Sequence, residues 1–592
     1  MNNDYFSLLR TAWHYARSEK RTYIIVYILF ALANVSQSIY PIIFGNFVNQ
    51  VQADSTKIWN SLLIYIGIYL FLKIFEWVFH GPARILERTL AFNLSQNFLQ
   101  EKYHQVLHLP AAWHTDNHSG ATINRIRKSY EALKDFFENG FMYFATFAKF
   151  FIALFAMVYF SPLFGGIGLL LGLFTIRVLF WFDVPYIKTL DEVNEAEHQV
   201  SATLFDSIAN IRTVITLRLE KSMENGLYQK VRAIFPAYKK NMYINEWKWF
   251  AADILVASIY AIVALGYVYQ NYNSGKPVAV GNLIVLLGFV NQFTSVFHDV
   301  AWQYTNIIQF NTNVNASKDI TESYNALNKT STSAELPVNW KNIDINDLNF
   351  SYHTEYNNER KAQSLHGIHL NLKRGARIAI IGESGGGKST VLALLRGLYA
   401  PEQSTKLTVD EKPIDNWNIL GNTVTLFPQE PEIFDNTIEH NLTLGLPYNE
   451  KTVDAACEIA NVTEIIAQLP NGKSSHIQEK GVNLSGGQKQ RLALARGILA
   501  AQESTIVLLD EPTSSVDAKT EYAIYKNLLA AFKDKTVIST LHRLHLLVFF
   551  DYVYIMKQGR IIDEGTFLNL KENSPTFKEL WKHQEIIMQT EV

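Results

Sequence analysis

Cysteine is all but missing from this chain: Cys457 is the only one in 592 residues. One thiol cannot form an intrachain disulfide, so the framework that stabilises small secreted domains is excluded, as is a structural zinc site made of several cysteines. An excess of positive charge is missing too. Lysine and arginine number 53 against 55 acidic residues, a formal net charge of −2. That balance gives no basic face of the kind a nucleic-acid partner selects. A cleavable leader is also not expected. Arg10, Arg17, Lys20 and Arg21 precede the first apolar run, but no small-residue cleavage pattern closes that run, so it reads as a retained helix. Only about 22 residues come before it, too few for a folded domain, and a fused N-terminal peptidase is therefore not expected.

Long apolar runs are abundant in the front half, whereas the back half has the alternation of a soluble domain. A chain of 592 residues is too long for one core. A helix needs about 20 mostly apolar residues to cross a bilayer, and six such stretches lie near 23–47, 58–81, 138–160, 163–184, 247–271 and 280–307. Arg84, Arg88, Lys102, Arg125, Arg127, Lys128 and Lys134 fall between the second and third. Lys188, Arg212, Arg218, Lys221, Lys230, Arg232, Lys239 and Lys240 fall between the fourth and fifth. Cytoplasmic connections are enriched in such cations, so both long segments face the cytoplasm, and the short links 50–57, 161–162 and 271–277 face outside. Both long segments are periodic and free of Pro/Gly-rich stretches. They read as helical extensions that reverse near Asn117-His118-Ser119-Gly120 and near Asp206 to Arg212. Residues 1–320 are thus expected to form an all-α transmembrane domain, with a linker at 321–340 ending near Pro337. Asn315-Ala-Ser and Asn328-Lys-Thr fit the glycosylation pattern but lie on the cytoplasmic side of this topology.

From about 341 to 592, short β-type runs alternate with helical ones, at 343–352, 377–381, 423–426, 505–510, 536–539 and 552–556, the pattern of an α/β domain. Arg377-Ile-Ala-Ile-Ile381 runs into Gly382-Glu383-Ser384-Gly385-Gly386-Gly387-Lys388-Ser389, and a helical run follows from Thr390 to Leu395. Strand, glycine loop and helix together identify a phosphate-binding loop. Glycines free backbone N–H groups to surround phosphate oxygens, and the helix start adds its positive dipole end. Lys388 would neutralise the β- and γ-phosphates, and Ser389 would bind Mg²⁺. A second buried run, Thr505-Ile-Val-Leu-Leu509, ends in Asp510 and Glu511. Asp510 is suited to hold Mg²⁺, and Glu511 to orient and deprotonate the attacking water. Between them, Leu484-Ser485-Gly486-Gly487-Gln488 opens a helical run at 491–500, which is either a second anion-seeking helix start or a capping turn.

The pentapeptide Leu484–Gln488, the phosphate loop and the Asp510-Glu511 pair, in this arrangement, resemble the ATP-binding cassette family. The membrane region ahead of them is similar to the exporter, or type IV, members, as half-transporters with both domains in one chain. The resemblance implies further roles in binding ATP. Tyr352 matches the aromatic that stacks on adenine, Thr390 follows Ser389 at the nucleotide, and Gln429 matches the glutamine that reaches Mg²⁺. Ser514-Ser515-Val516-Asp517 matches the loop between two cassettes, although the family more often has Ala and Leu at its centre. His542 matches the switch histidine at the γ-phosphate, and His545 is left to the surface. Leu484, Ser485, Gly486, Gly487 and Gln488 would touch ATP held by a second chain, so Glu511 and His542 make a homodimer self-sufficient, with a heterodimer as the alternative. Both reversals would act as coupling helices near Gln429, with Glu479 and Lys480 as electrostatic contacts.

On this resemblance the expected activity is ATP hydrolysis driving export of an amphipathic or hydrophobic compound, a drug, lipid or peptide, by alternating access. The alternatives are uptake of a small molecule such as a metal chelator, and an ATP-gated channel or regulator. The expected place is a bacterial cytoplasmic membrane, with the N-terminus and ATPase in the cytoplasm. Lys73, Glu76, Lys149, Arg177, Asp253, His298 and Asp299 lie within spans. They either line a cavity or pair and snorkel. Trp77, Trp181, Trp247, Trp249 and Trp302 fit an interfacial belt or a binding surface equally. The cargo is not legible.

Overall fold

The computed structural model describes residues 4–117, 119–275, 278–328, 336–337, 339–352, 363–477 and 484–590. They divide into two compact units, one of residues 1–107 and 120–324, the other of residues 108–119 and 325–592. His118 and the Glu479-Lys480 pair lie outside the described residues.

The first unit is helical throughout. Its amphipathic entry helix α1 (Asp4–Tyr15) precedes α2 (Lys20–Ser38), α3 (Tyr40–Ala53) and α4 (Ile58–Leu107); after α5 (Ala111–Asp116), which belongs to the second unit, the chain continues in α6 (Ser119–Glu138) and α7 (Gly140–Phe160). Then come α8 (Pro162–Ala209), α9 (Ile211–Thr216), α10 (Glu220–Asn273), α11 (Val280–Asn315) and α12 (Lys318–Asn328). Among the described residues, six helical stretches are long and apolar enough to cross a membrane. The first of them, Arg17–Ala53, contains the span expected at 23–47 and is interrupted only at Ile39, where Pro41 at the start of α3 cannot donate to the preceding turn. At 1.5 Å per residue, the 50 residues of α4 and the 54 of α10 extend to roughly 75–80 Å. That is about twice a bilayer's full thickness, so both helices continue far beyond it. The reversals include residues 108–117 and 210–219, each holding a six-residue helix, α5 or α9. The first therefore starts earlier than Asn117 and the second ends later than Arg212. Residues 108–119 group with the second unit. The expected linker starts as helix, since α12 runs to Asn328.

The ionisable groups inside the spans are largely paired. Lys73 lies 2.9 Å from Glu76, Lys149 lies 3.5 Å from Asp299, and His298 lies 3.5 Å from Asp253. Glu76, Lys149 and Asp299 also line one cavity of about 260 Å³. Arg177 is exposed, apart from these. The most buried pair was not foreseen. Lys248 of α10 and Asp183 of α8 meet at 2.8 Å with side-chain exposures of 3% and 5%. Both fall at the edges of their apolar runs, where sequence alone assigns a charge to the interface.

The second unit is built on two sheets. Antiparallel β2 (Gln363–Lys373), β1 (Asn342–Ser351), β4 (Lys406–Val409) and β5 (Lys412–Ile414) form one, in that order. The other runs β12 (Arg560–Gly565), β11 (Tyr552–Lys557), β3 (Arg377–Gly382), β10 (Thr536–Thr540), β9 (Ile506–Asp510), β6 (Val424–Phe427), and all its pairings are parallel except β11 with β12. A small ribbon pairs β7 (Asn436–Thr437) with β8 (His476–Ile477). Around the sheets lie α13 (Lys388–Leu395), α14 (Ile438–Thr443), α15 (Glu450–Ile459), α16 (Thr463–Ala467), α17 (Gly486–Ala500), α18 (Ala518–Ala531), α19 (Phe567–Asn573) and α20 (Pro575–Thr590). The central strands β9 and β10 are buried at every position, as expected for strands covered on both faces.

Cys457 sits in α15, 2% exposed among apolar neighbours. Burial pushes its thiol from 9.0 up to about 11. At pH 8 its thiolate fraction is then roughly a hundredfold below that of a free thiol. Alkylation by iodoacetamide is expected to be slower in the native protein by at least that factor than after denaturation. Equal rates before and after denaturation would contradict this burial.

Candidate nucleotide site

Register brings the site together. Thr540 of β10 is level with Ile380 of β3 on one side and with Asp510 of β9 on the other, while Phe427 of β6 is level with Leu509. The parallel strands therefore end side by side. The segments leaving their carboxyl ends carry the phosphate loop, Glu511, His542 and Gln429 to one edge, where ligands of open α/β sheets bind.

The loop between β3 and α13 requires glycine where it leaves the strand. Gly382 has φ +143°, and a Cβ there would lie 2.0 Å from the Met556 carbonyl oxygen. Gly382→Ala is expected to deform the loop and weaken ATP binding at least tenfold, read by equilibrium titration with a fluorescent ATP analogue. Unchanged affinity would mean that β11 can yield. Lys388, 5% exposed, folds back so that Nζ donates to the carbonyl oxygens of Gly382 and Glu383, both at 3.0 Å. Burial lowers its pKa, opposed by the charges of Glu511 and Asp510. An ammonium satisfied only by carbonyls is well placed to exchange them for phosphate oxygens. Outside the loop, Lys557 lies 3.2 Å from the Glu383 carboxylate.

Two neighbouring carboxylates are held in different ways. Asp510 Oδ1 accepts from Ser389 Oγ at 3.0 Å and from Thr540 Oγ1 at 2.7 Å. Burial raises its pKa, and these two hydrogen bonds oppose the shift. Glu511 takes a left-handed backbone, φ +46°, with its N–H donating to Thr540 Oγ1 at 3.1 Å. A non-glycine residue in that region is strained, and such strain collects at functional sites. The Glu511 carboxylate is held at both oxygens: Gln429 Nε2 donates to Oε2 at 3.0 Å, and His542 Nε2 lies 2.7 Å from Oε1. Thr540, which serves both acids, was not singled out from the sequence. Its position at the last place of a buried strand was the available signal.

Tyr352 is 40% exposed, set edge-on to Phe350 and Tyr399, and its hydroxyl lies 3.2 Å from Thr390 Oγ1. A free aromatic surface therefore stands beside the start of α13. Ser485 and Gln488 form a capping box at the head of α17, with Ser485 N–H donating to Gln488 Oε1 at 2.9 Å. The capping turn is therefore present, and Ser485 and Gly486 are exposed. Leu484 packs on the surrounding apolar core. Gly487 is held against the next loop: a Cβ would lie 2.8 Å from the Ser515 carbonyl oxygen. Gln490, also not foreseen, ties α17 to that loop through Ser514 Oγ at 2.7 Å and the Ser515 N–H at 2.8 Å. Asp517 caps α18, accepting from the Thr520 N–H at 3.0 Å. His545 lies 4.0 Å from Glu521, away from the acids just described.

A phosphate-binding loop backed by two acids on parallel strands, preceded by six membrane helices in the same chain, defines a membrane-bound ATPase coupled to transport. Residues 23–297 match the family described as ABC transporter transmembrane region, and residues 365–514 the family described as ABC transporter. The chain belongs to the ABC transporter family, in its exporter-type, half-transporter form. Relatives in Staphylococcus aureus strains NCTC 8325 and COL, whose names describe multidrug export ATP-binding/permease proteins, are 27% identical over 537 residues, spanning 89% of this chain and 90% of theirs. The solved structure of a bacterial Atm1-family ABC exporter with ATP bound superposes with a TM-score of 0.81 at 22% identity, covering 95% of this chain and 99% of that one.

Proposed function

We propose that two copies of this chain form a transporter that exports amphipathic or hydrophobic compounds across a bacterial cytoplasmic membrane, using ATP bound between their cassettes. The observation that carries this reading is the Glu511 carboxylate, held from both sides by Gln429 and His542 beside an intact phosphate loop. Every hydrolytic position is filled, so one kind of chain suffices. The exposed Ser485 and Gly486 at the head of α17 are free to approach ATP on a second copy, completing each site.

In this mechanism the loop N–H groups from Gly385 to Ser389 and the Lys388 ammonium bind the β- and γ-phosphates, with Thr390 beside them and Tyr352 offering its ring to adenine. Glu511 accepts a proton from water as the water oxygen bonds to the γ-phosphorus, and the bond to the β-phosphate oxygen breaks to leave ADP and phosphate. His542 donates to the γ-phosphate and holds Glu511 in line. Ser389 Oγ, Asp510 and the side-chain oxygen of Gln429 form an all-oxygen set suited to Mg²⁺; when bound, the ion would neutralise developing charge on the phosphates. The loop Ser514–Asp517 would lie between cassettes, positioned by Gln490. Closure of the cassettes on ATP would shift the membrane domains between inward-facing and outward-facing states, with α5 as a coupling helix. Its grouping with the second unit supports that role.

The test is ATP hydrolysis by the purified protein in lipid, screened against hydrophobic compounds, together with uptake into inverted vesicles. Compound-stimulated hydrolysis with accumulation inside the vesicles is expected. Accumulation in the opposite direction would support import, and solute flow without hydrolysis would support a channel.

A further inference from the structure

His542 meets Glu511 at 2.7 Å from a stretch of chain that is neither helix nor strand, and its side chain is 51% exposed. Leu541 and Leu544 are buried on either side and anchor the backbone. The aim of the imidazole therefore depends on how the segment between them is held. Arg543, directly after His542, is the side chain that fastens it.

Arg543 leads to a buried carboxylate. Its guanidinium donates from one nitrogen to Glu521 Oε2 at 2.9 Å and to the Val516 carbonyl at 3.1 Å. Glu521 Oε1 accepts from the Thr513 hydroxyl at 2.7 Å. Thr513 follows Glu511 by two residues and is 2% exposed, while Gln490 grips Ser514 and Ser515 from the other side. The loop after Glu511 is thus a firm base, and Glu521 joins it to the residue next to His542. A carboxylate in the first turn of a helix is favoured by the positive end of the dipole, but that effect does not require burial. Glu521, in the first turn of α18, is 5% exposed, and both its oxygens are taken by residues outside that helix. His545 comes within 4.0 Å of Oε2, beyond hydrogen-bonding reach. Burial holds the His545 pKa below its ordinary 6.5, so that ring is neutral at pH 7. The Arg543 charge is therefore what offsets the cost of burying Glu521.

We propose that Glu521 is a positioning residue for ATP hydrolysis: braced on the loop that follows Glu511, it fixes Arg543 and thereby directs His542 at the Glu511 carboxylate. It acts through its neighbours and not on the reacting atoms. The inference rests on the reading of Glu511 and His542 as the hydrolytic pair, and it depends neither on the cargo nor on the direction of transport.

The test measures ATP turnover and equilibrium ATP binding by the full-length protein in lipid, for Glu521→Ala, His542→Ala and the two combined. Glu521→Ala is expected to lower turnover by about 10–100-fold, as a displacement of about 1 Å at the chemistry can, while ATP affinity stays within about threefold of wild type. In the His542→Ala background the same substitution should cost less than about twofold more, since the group it directs is already gone. A variant that merely loosened the fold would instead multiply the two losses. Should Glu521→Ala fail to fold, Glu521→Asp carries the same cycle, because it keeps the charge but is one methylene too short to span Thr513 and Arg543. Losses that multiply in full in the double variant would overturn the proposal. If His542→Ala lowers turnover and the Glu521 variant does not, this inference alone falls. If His542→Ala leaves turnover unchanged, the reading of the hydrolytic pair falls, and this inference with it.

Discussion

Glu511→Gln is expected to lower ATP turnover by about 10²–10⁴-fold, the range for removing a positioned general base, while leaving ATP affinity within a few-fold of wild type. The amide matches the carboxylate in size and keeps an oxygen that can accept from Gln429, whose Nε2 donates to Glu511 at 3.0 Å. It cannot take the proton from water. The loop glycines, Lys388 and Ser389 are untouched, so nucleotide still binds. Phosphate release measured beside equilibrium ATP binding separates the two quantities. Turnover within threefold of wild type would remove Glu511 from the base role. His542→Ala should follow the same pattern to a smaller extent, because it removes only one of two contacts on the carboxylate.

The second large effect lies in the membrane domain. Lys248→Met should destabilise the protein by about 3–5 kcal/mol, the cost of stranding one charge of a buried pair. Asp183→Leu combined with Lys248→Met should restore most of that loss. Lys248 also lies 5.0 Å from the Tyr186 ring and 5.4 Å from the Trp249 ring, so its surroundings accept an apolar chain. Asp183 sits two residues before Pro185, which interrupts the hydrogen bonding of α8. Asn241 of α10 reaches the same stretch, donating to the Tyr186 carbonyl at 3.0 Å and to Thr189 Oγ1 at 2.9 Å. Denaturant titration in lipid-like detergent would give the double-mutant cycle. Additive single losses would mean that the two charges do not act as a pair.

Function was legible wherever chemistry forces a residue type at a fixed spacing. Gly382 to Ser389, the end of β9 at Asp510-Glu511, and Leu484 to Gln488 each have few substitutes, and the structure places the first two at one edge of the sheet. The strands found from sequence were the hydrophobic ones feeding the site. β2, β4, β5 and β12 escaped notice because their polar alternation, as in Lys406-Leu-Thr-Val409 and Arg560-Ile-Ile-Asp563, resembles surface loop until a partner strand gives it a face. Long-range side-chain contacts were out of reach for a related reason. Nothing near Asp183 or Lys248 in sequence announces the other, 65 positions away. Gln490 and Thr540 acquire meaning only once Ser514 and Asp510 are brought to them. The left-handed backbone of Glu511 leaves no mark on residue identity at all.

The buried, inert thiol of Cys457 bears on how the transport cycle can be observed. Membrane transporters are usually stripped of native cysteines before spectroscopic labels are attached, at some cost to folding. Here the one native thiol is already sequestered in α15, so a cysteine introduced at an exposed site would be labelled alone in the otherwise unaltered chain. A label at exposed Lys230 on the α10 extension, or at Tyr522 in the cassette, would then report distances across the proposed dimer during ATP turnover, without a cysteine-free background having to be made first.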